Sequence, residues 1–117
     1  MKEKIIDIEG LKRLSGNDDA FVSEILKLYT DHASKDIVEL ENARTIQDWS
    51  TVRFVVHRMR SAAVPLGIKQ LVVLLKKVEM KLKDNHLEGT TEEIQEIIDI
   101  SQTAIAEAGN YLKLISV

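Results

Sequence analysis

One histidine in the chain stands where its side chain could act as a nucleophile. His57 lies in a stretch, residues 49–64, in which apolar residues recur every three or four positions, as on one face of a helix. At about 100° per residue they form a single stripe, and His57 lies roughly 160° from its middle. The stripe comprises Val52, Val55, Val56, Met59, Ala62, Ala63 and Leu66. An outward imidazole is largely unprotonated near neutral pH, so a ring nitrogen has a free lone pair that can attack phosphorus.

The charged and small residues one helical turn from His57 suit an anionic group. Arg53 lies four residues before the histidine and Arg60 three residues after it, so both bring positive charge to its side of the helix. Such charge favours an anion such as a phosphoryl group. Ser61 is small and leaves the imidazole sterically open. The pattern by itself favours an ordinary surface histidine, and a phosphoryl-accepting histidine is the alternative.

Apolar residues lie on the same outward face. Phe54 and Val64 stand where a bundle helix normally carries charge, and exposed apolar groups around a polar centre are typical of a docking site. We therefore predict a partner-docking surface formed by Arg53, Phe54, Val64 and Gly67.

The rest of the chain predicts the helices that position this face. Helical spacing of apolar residues occurs at 8–14, 17–43, 49–64, 68–85 and from residue 90 onward, with turn residues between these stretches. One short helix and four long ones predict an all-α fold, an antiparallel up-and-down four-helix bundle with a short extra N-terminal helix. We expect residues 1–117 to form a single domain.

Capping residues mark where three of these helices begin. Asn17 is predicted to cap the second helix and Asp48 the third, because their short side chains accept hydrogen bonds from free backbone N–H groups. Thr90 followed by Glu93 has the spacing of a capping box at the start of the fifth. The third helix is expected to end or kink just before Pro65.

Composition excludes several classes of function. The formal net charge of −3 argues against binding to nucleic acid or to a membrane surface. Cysteine is absent, which removes disulfides, thiol catalysis and thiolate zinc sites. His32 and His86 share no helical spacing with His57, so no metal site is expected. No apolar run approaches the roughly 20 residues of a membrane span, and the expectation is a cytoplasmic monomer.

Residues 57–71 resemble the signature of histidine-containing phosphotransfer (HPt) domains. That signature has a histidine, any residue, an aliphatic residue, a lysine, a glycine and small residues, and then a glycine and a leucine. Here His57 is followed by Met59, Gly67 and Leu71 at the matching offsets. Residues 14–21 are similar to the family's leucine–glycine–acidic–phenylalanine pattern, and residues 78–79 to its leucine–glutamate pair. The resemblance covers about residues 8–82, and the last helix fits by architecture.

Three positions depart from the family's pattern. Arg60 replaces the usual lysine, which keeps the charge but changes a point charge into a planar fork. Ser61 replaces a glycine, and its hydroxymethyl group either crowds a docking receiver or donates a hydrogen bond to phosphoryl oxygens. Ala62 replaces a small polar residue on the core side. The changes bear on transfer rate and partner choice more than on the fold.

The resemblance implies a phosphorelay intermediate that takes a phosphoryl group on His57 from the phospho-aspartate of a receiver domain and passes it to another receiver. It implies that Arg60 neutralises phosphoryl charge and that Glu79 orients the imidazole, with a solvated glutamate as the alternative. The chain is then a carrier and not an enzyme, and needs no cofactor, since the magnesium ion belongs to the receiver. The expected partners are response-regulator receivers, including one in a hybrid sensor kinase. The alternative function is a non-catalytic adaptor that binds a receiver without being phosphorylated.

Overall fold

The computed structural model describes residues 4–115, and within that range it contains helices and no strand. Its elements are α1 (Ile8–Ser15), α2 (Asp19–Thr45), α3 (Trp49–Ala63), a 3-10 turn (Val64–Leu66), α4 (Lys69–Lys83) and α5 (Thr90–Ile115). The predicted all-α fold is confirmed, with its short N-terminal helix. The predicted domain of residues 1–117 includes 1–3 and 116–117, which lie outside the described residues.

The four long helices form a bundle around one apolar core. Helix α2 packs on α3 and on α5, and α4 packs on the same two helices, so the contacts close into a ring. Helix α1 lies against α2 and the 3-10 turn. Of the predicted apolar stripe of α3, only Ala62 is half-buried, and every other member is buried. The stripe thus fixes which face of α3 turns outward, while the antiparallel course of the helices stays a prediction.

Asp48 caps α3 as predicted. Its Oδ1 accepts a hydrogen bond from the backbone N–H of Thr51 at 3.2 Å, and its Oδ2 accepts one from the Thr51 hydroxyl at 2.6 Å. These two bonds lower the pKa of Asp48, because they stabilise the charged form of the carboxylate. The start of the helix that carries the candidate site is therefore fixed locally.

The predicted cap of α2 is wrong by one residue. Asp18, and not Asn17, accepts hydrogen bonds from the backbone N–H groups of Ala20 and Phe21, at 3.0 and 3.2 Å. Asn17 has a φ of 67° and follows Gly16, whose φ is 66°. Both residues belong to the left-handed end of α1, which asparagine and glycine tolerate best.

The predicted capping box at the start of α5 is also wrong. Thr90 is itself the first helical residue and is buried. The carboxylate of Glu93 binds the ammonium groups of Lys77 and Lys81 on α4 and does not return to the helix start. Burial by itself raises the pKa of Glu93, but the hydrogen bonds from the two lysines lower it overall. A tertiary contact thus replaces the local one.

The segment before α1 ties α5 to the end of α3. The carboxylate of Glu107 accepts hydrogen bonds from the backbone N–H groups of Ile5 and Ile6, at 2.9–3.1 Å. The backbone N–H of the next residue, Asp7, donates to the carbonyl of Leu66 at 2.9 Å. The N-terminal segment therefore fixes the position of the 3-10 turn that follows the histidine-bearing helix.

An ion pair joins α2 to α3 next to the histidine. Arg58 donates from Nε and Nη2 to Oδ1 of Asp36, at 3.0 and 2.7 Å, and from Nη2 to Glu39 at 2.6 Å. Asp36 is buried, whereas Arg58 and Glu39 are partly exposed. The bond to Glu39 raises the pKa of Arg58 against the effect of burial, and Asp36 raises it further. We call this set of three residues the α2–α3 clamp.

Candidate functional site

His57 faces outward, as the helical spacing of α3 predicts, and its ring is paired with a residue of α4. The imidazole is 58% exposed, and its Nδ1 lies 2.7 Å from Oε2 of Glu79. The Glu79 side chain is only 19% exposed, so its carboxylate lies largely buried between α3 and α4 beside the ring. The residue predicted to orient the imidazole therefore lies within hydrogen-bonding distance of it.

This contact determines which ring nitrogen is free. A carboxylate can only accept a hydrogen bond, so the hydrogen between Glu79 and His57 is carried by Nδ1. In a neutral imidazole the other nitrogen, Nε2, then has no hydrogen and keeps its lone pair. The exposed side of the ring thus presents a nucleophilic nitrogen to an approaching group.

Arg60 shares the same carboxylate. Its Nη2 lies 3.3 Å from Oε1 of Glu79, an ion-pair contact without a hydrogen bond, and this oxygen is buried. The Arg60 side chain is 29% exposed. Its positive charge stands beside the imidazole as predicted, but in the resting protein it compensates Glu79.

A shallow recess opens beside the histidine. It is lined by Ser50, Arg53, Phe54, His57 and Glu79. Within residues 4–115, Arg53 has no ion-pair partner, so its guanidinium is available to an anion in the recess. Sequence reasoning missed Ser50, although its place seven residues before His57 puts both on one face of a helix.

Ser61 is exposed and lies one turn after His57. Its hydroxyl donates to the backbone carbonyl of His57 at 3.4 Å, a long bond that a better acceptor can replace. Ala62, the next residue, is half-buried. The serine hydroxyl therefore lies one turn from the imidazole and is hydrogen-bonded to the backbone and not to the ring.

Val64 and Gly67 lie beyond the recess, in and after the 3-10 turn. Val64 is 57% exposed, as a docking residue must be. Gly67 has a φ of 64°, and a Cβ built on it would come 2.8 Å from Cβ of Asp7. The structure thus explains Gly67 by the turn and by the close approach of the N-terminal segment, and its docking role stays a prediction.

The other histidines are separate from this site. His32 on α2 and His86 in the loop before α5 are both exposed. In the part of the chain that the structure describes, no group of three or more His, Asp or Glu side chains is placed to hold a metal ion.

The fold and the site together define a class of protein. A helical bundle with an exposed imidazole on one helix, a carboxylate from the next helix at one ring nitrogen, and arginines beside it has the architecture of a histidine phosphocarrier. The family model of the Hpt domain matches residues 24–109 of the 117. The chain therefore belongs to the Hpt domain family, whose members are phosphocarriers of two-component signalling that interact with receiver domains.

The matched range differs from the resemblance noted above. It begins within α2, after residues 14–21, and it includes most of α5, which the sequence motifs did not cover. Neither the curated proteins nor the solved structures that were compared with the chain match it. Among residues 4–115 no helix is long and apolar enough to cross a membrane.

Proposed function

We propose that this chain is a phosphorelay intermediate that accepts a phosphoryl group on His57 from a receiver's phospho-aspartate and passes it to a second receiver. The observation that carries the proposal is the 2.7 Å contact between Nδ1 of His57 and Glu79, which leaves Nε2 free on the exposed side of the ring. We expect the protein to work in the cytoplasm. We also expect it to be a monomer, because the apolar outer face of α3 is assigned to docking the receiver and not to a second copy. One of its receivers is expected to belong to a hybrid sensor kinase.

The proposed step is an exchange of one phosphoryl group between two nucleophiles. The Nε2 lone pair of His57 attacks phosphorus, an N–P bond forms, the O–P bond to the receiver's aspartate breaks, and that carboxylate leaves with the electron pair. Glu79 keeps the proton on Nδ1 and supports the positive charge that grows on the ring. Transfer to the second receiver is the reverse reaction with another aspartate. The receiver supplies the magnesium ion and the acidic residues, so the chain itself needs no cofactor.

The residues around His57 divide into two groups in this proposal. Arg53 and Arg60 face the phosphoryl oxygens with positive charge, and Ser61 donates a hydrogen bond to them from one helical turn away. Phe54 and Val64 form the apolar part of the docking surface, with Gly67 at its far end. The receiver then covers α3, with α1 and α2 on either side of the contact.

The alternative is an adaptor that binds a receiver and never accepts phosphate. The observation that favours it is Ser61, since its hydroxymethyl group stands one turn from the imidazole where the family has a glycine. An adaptor would keep its affinity for the receiver when His57 is replaced and would form no phosphohistidine.

Transfer from radiolabelled phospho-receivers to the chain separates the two functions. A carrier gives label that is labile in acid and stable in alkali, as a phosphohistidine is. Receivers from the same organism are tested one by one, and binding of each is measured in parallel. Binding without label from any receiver would support the adaptor and point to Ser61→Gly as the next variant.

Replacing Glu79 tests the orienting contact. Glu79→Ala removes the acceptor for Nδ1–H, so the ring turns freely and both tautomers are populated. We expect transfer to slow by about 10- to 100-fold, the range measured when the hydrogen-bonding partner of a metal-bound histidine is removed. Glu79→Gln keeps an oxygen acceptor at the same place and is the matched control. Rapid-quench transfer kinetics measure both variants, and equal rates for Glu79→Ala and wild type would remove the proposed role.

Replacing Arg60 tests charge compensation at the phosphoryl group. We expect Arg60→Ala to slow transfer, or to shorten the lifetime of the phosphorylated chain, by about ten- to 100-fold, as the loss of one charge-assisted contact of about 1.5–3 kcal/mol implies. Arg53→Ala is the matched variant, because Arg53 lies on the recess without contacting Glu79. Transfer rates and the decay of label after removal of the receiver are measured for both. Unchanged kinetics in Arg60→Ala together with slowed transfer in Arg53→Ala would assign the phosphoryl contact to Arg53.

A further inference from the structure

Phe54 presents a large apolar ring to solvent beside the candidate nucleophile. It is 63% exposed and lines the same recess as His57. Cζ of Arg58, one helical turn further on, lies 5.4 Å from the centre of the ring, within the range of a cation–π contact. The ring is therefore exposed on one side and in contact with a guanidinium on the other.

The guanidinium that contacts this ring is itself fixed. Arg58 makes two hydrogen bonds to the buried Asp36 and one to Glu39, all from α2. Because three hydrogen bonds fix the guanidinium, its contact with the ring favours the rotamer of Phe54 that keeps the ring against it. Through Arg58, the α2–α3 clamp is in contact with the exposed ring of Phe54.

We propose that Arg58 is a positioning residue, which holds the ring of Phe54 in one orientation and so strengthens the docking of the receiver. A ring already in one rotamer loses less entropy when a partner covers it, and the cation–π contact strengthens when water is excluded. This inference rests on the proposed function for the identity of the partner. Arg58 belongs to none of the family motifs named above. Its proposed role is to raise the affinity for the receiver, and not to change the rate of phosphoryl transfer.

Arg58 and His57 are held by different helices, so receiver affinity and the phosphoryl-transfer step can be tested separately. His57 is oriented from α4 by Glu79, whereas Arg58 is held from α2. Removing the charge of Arg58 therefore leaves the contact at Nδ1 in place. A purely structural role of the clamp would change stability without changing the orientation of Phe54 or the affinity of the receiver.

The test uses Asp36→Asn combined with Arg58→Met, which removes both members of the buried pair together and leaves no unpaired buried charge. The chain has two phenylalanines, so a sample labelled on phenylalanine gives two sets of ring signals, and Phe21→Leu assigns them. We expect one χ1 rotamer for Phe54 in the wild type and averaging over several in the double variant. Averaging already present in the wild type would overturn the proposal without any receiver.

The second readout is the affinity and rate of transfer with the receiver that labels the wild-type chain. We expect the double variant to bind it about fivefold more weakly, the cost of ordering one freely rotating side chain on binding, with an unchanged rate at saturation. Phe54→Leu should cost less affinity in the double variant than in the wild type, because the two groups act together. Equal affinity of wild type and double variant would overturn the proposal.

Two further results keep the test decisive. If the double variant does not fold, Asp36→Asn combined with Arg58→Gln replaces it, since glutamine carries no charge and so cannot make the cation–π contact with the ring. The same averaging of Phe54 and the same loss of affinity are expected. Absence of phosphohistidine on the wild-type chain with every receiver would overturn the proposed function, whereas the rotamer measurement on Phe54 would still support or overturn the positioning role.

Discussion

His57→Gln is expected to abolish phosphoryl transfer to the chain while leaving its fold unchanged. The amide nitrogen of glutamine has no lone pair available for attack, so no N–P bond forms and label falls to background. The side chain at this position is 58% exposed and contributes nothing to the core, and surface substitutions of this kind usually change stability by less than about 0.5 kcal/mol. Radiolabel transfer and the thermal unfolding curve, measured on the same preparation, test both parts.

Two other histidines supply the controls for this variant. His32 and His86 are exposed and lie on other elements, so His32→Gln and His86→Gln should take up label as the wild type does. Acid-labile label retained in His57→Gln would assign the phosphorylated residue elsewhere. The carrier function predicts that all three variants bind the receiver and that only His57→Gln takes up no label.

The outer position of His57 followed from the sequence because it depends only on helical periodicity. A stripe of apolar residues must turn inward, and a residue on the opposite side of the same helix must then turn outward. The start of α3 at Asp48 was predictable for a similar reason, since a cap is a contact between near neighbours in the chain. Both predictions need no knowledge of how the helices pack.

The two wrong caps show where local reasoning is insufficient. Asn17 and Asp18 are both good capping residues, and the choice between them depends on how α1 ends at Gly16. Glu93 has the spacing of a capping box, but two lysines of α4 offer its carboxylate stronger partners. In each case a neighbouring element, absent from the local pattern, decides.

The partners of His57 and Arg58 required the packed structure. Periodicity does not tell which residue of α4 meets α3, and Glu79 came from the family resemblance alone until the structure placed it 2.7 Å from the imidazole. The contact of Arg58 with Asp36 joins residues 22 positions apart on different helices, and no short motif reports it. The structural reason for Gly67 could not be predicted either, because the close approach of Asp7 to its Cα is visible only in three dimensions.

Arg58→Ala is expected to cost about 3 kcal/mol of the free energy of unfolding, at the lower end of the range for breaking a buried ion pair, since the guanidinium is partly exposed. The substitution leaves the carboxylate of Asp36 buried without its partner. In a domain of this size such a loss lowers the Tm by roughly 10 °C. Urea unfolding followed by circular dichroism measures the difference at constant m-value.

The double variant of Asp36→Asn and Arg58→Met is the control for this loss, because it removes the unpaired charge together with the pair. We expect it to be more stable than Arg58→Ala, since a neutral pair of similar volume costs less to bury than a lone carboxylate. Glu39→Gln, at the exposed end of the clamp, should cost no more than about 1 kcal/mol. Equal destabilisation by Arg58→Ala and by the double variant would show that loss of the hydrogen-bonded pair itself, and not the uncompensated charge of Asp36, accounts for the cost.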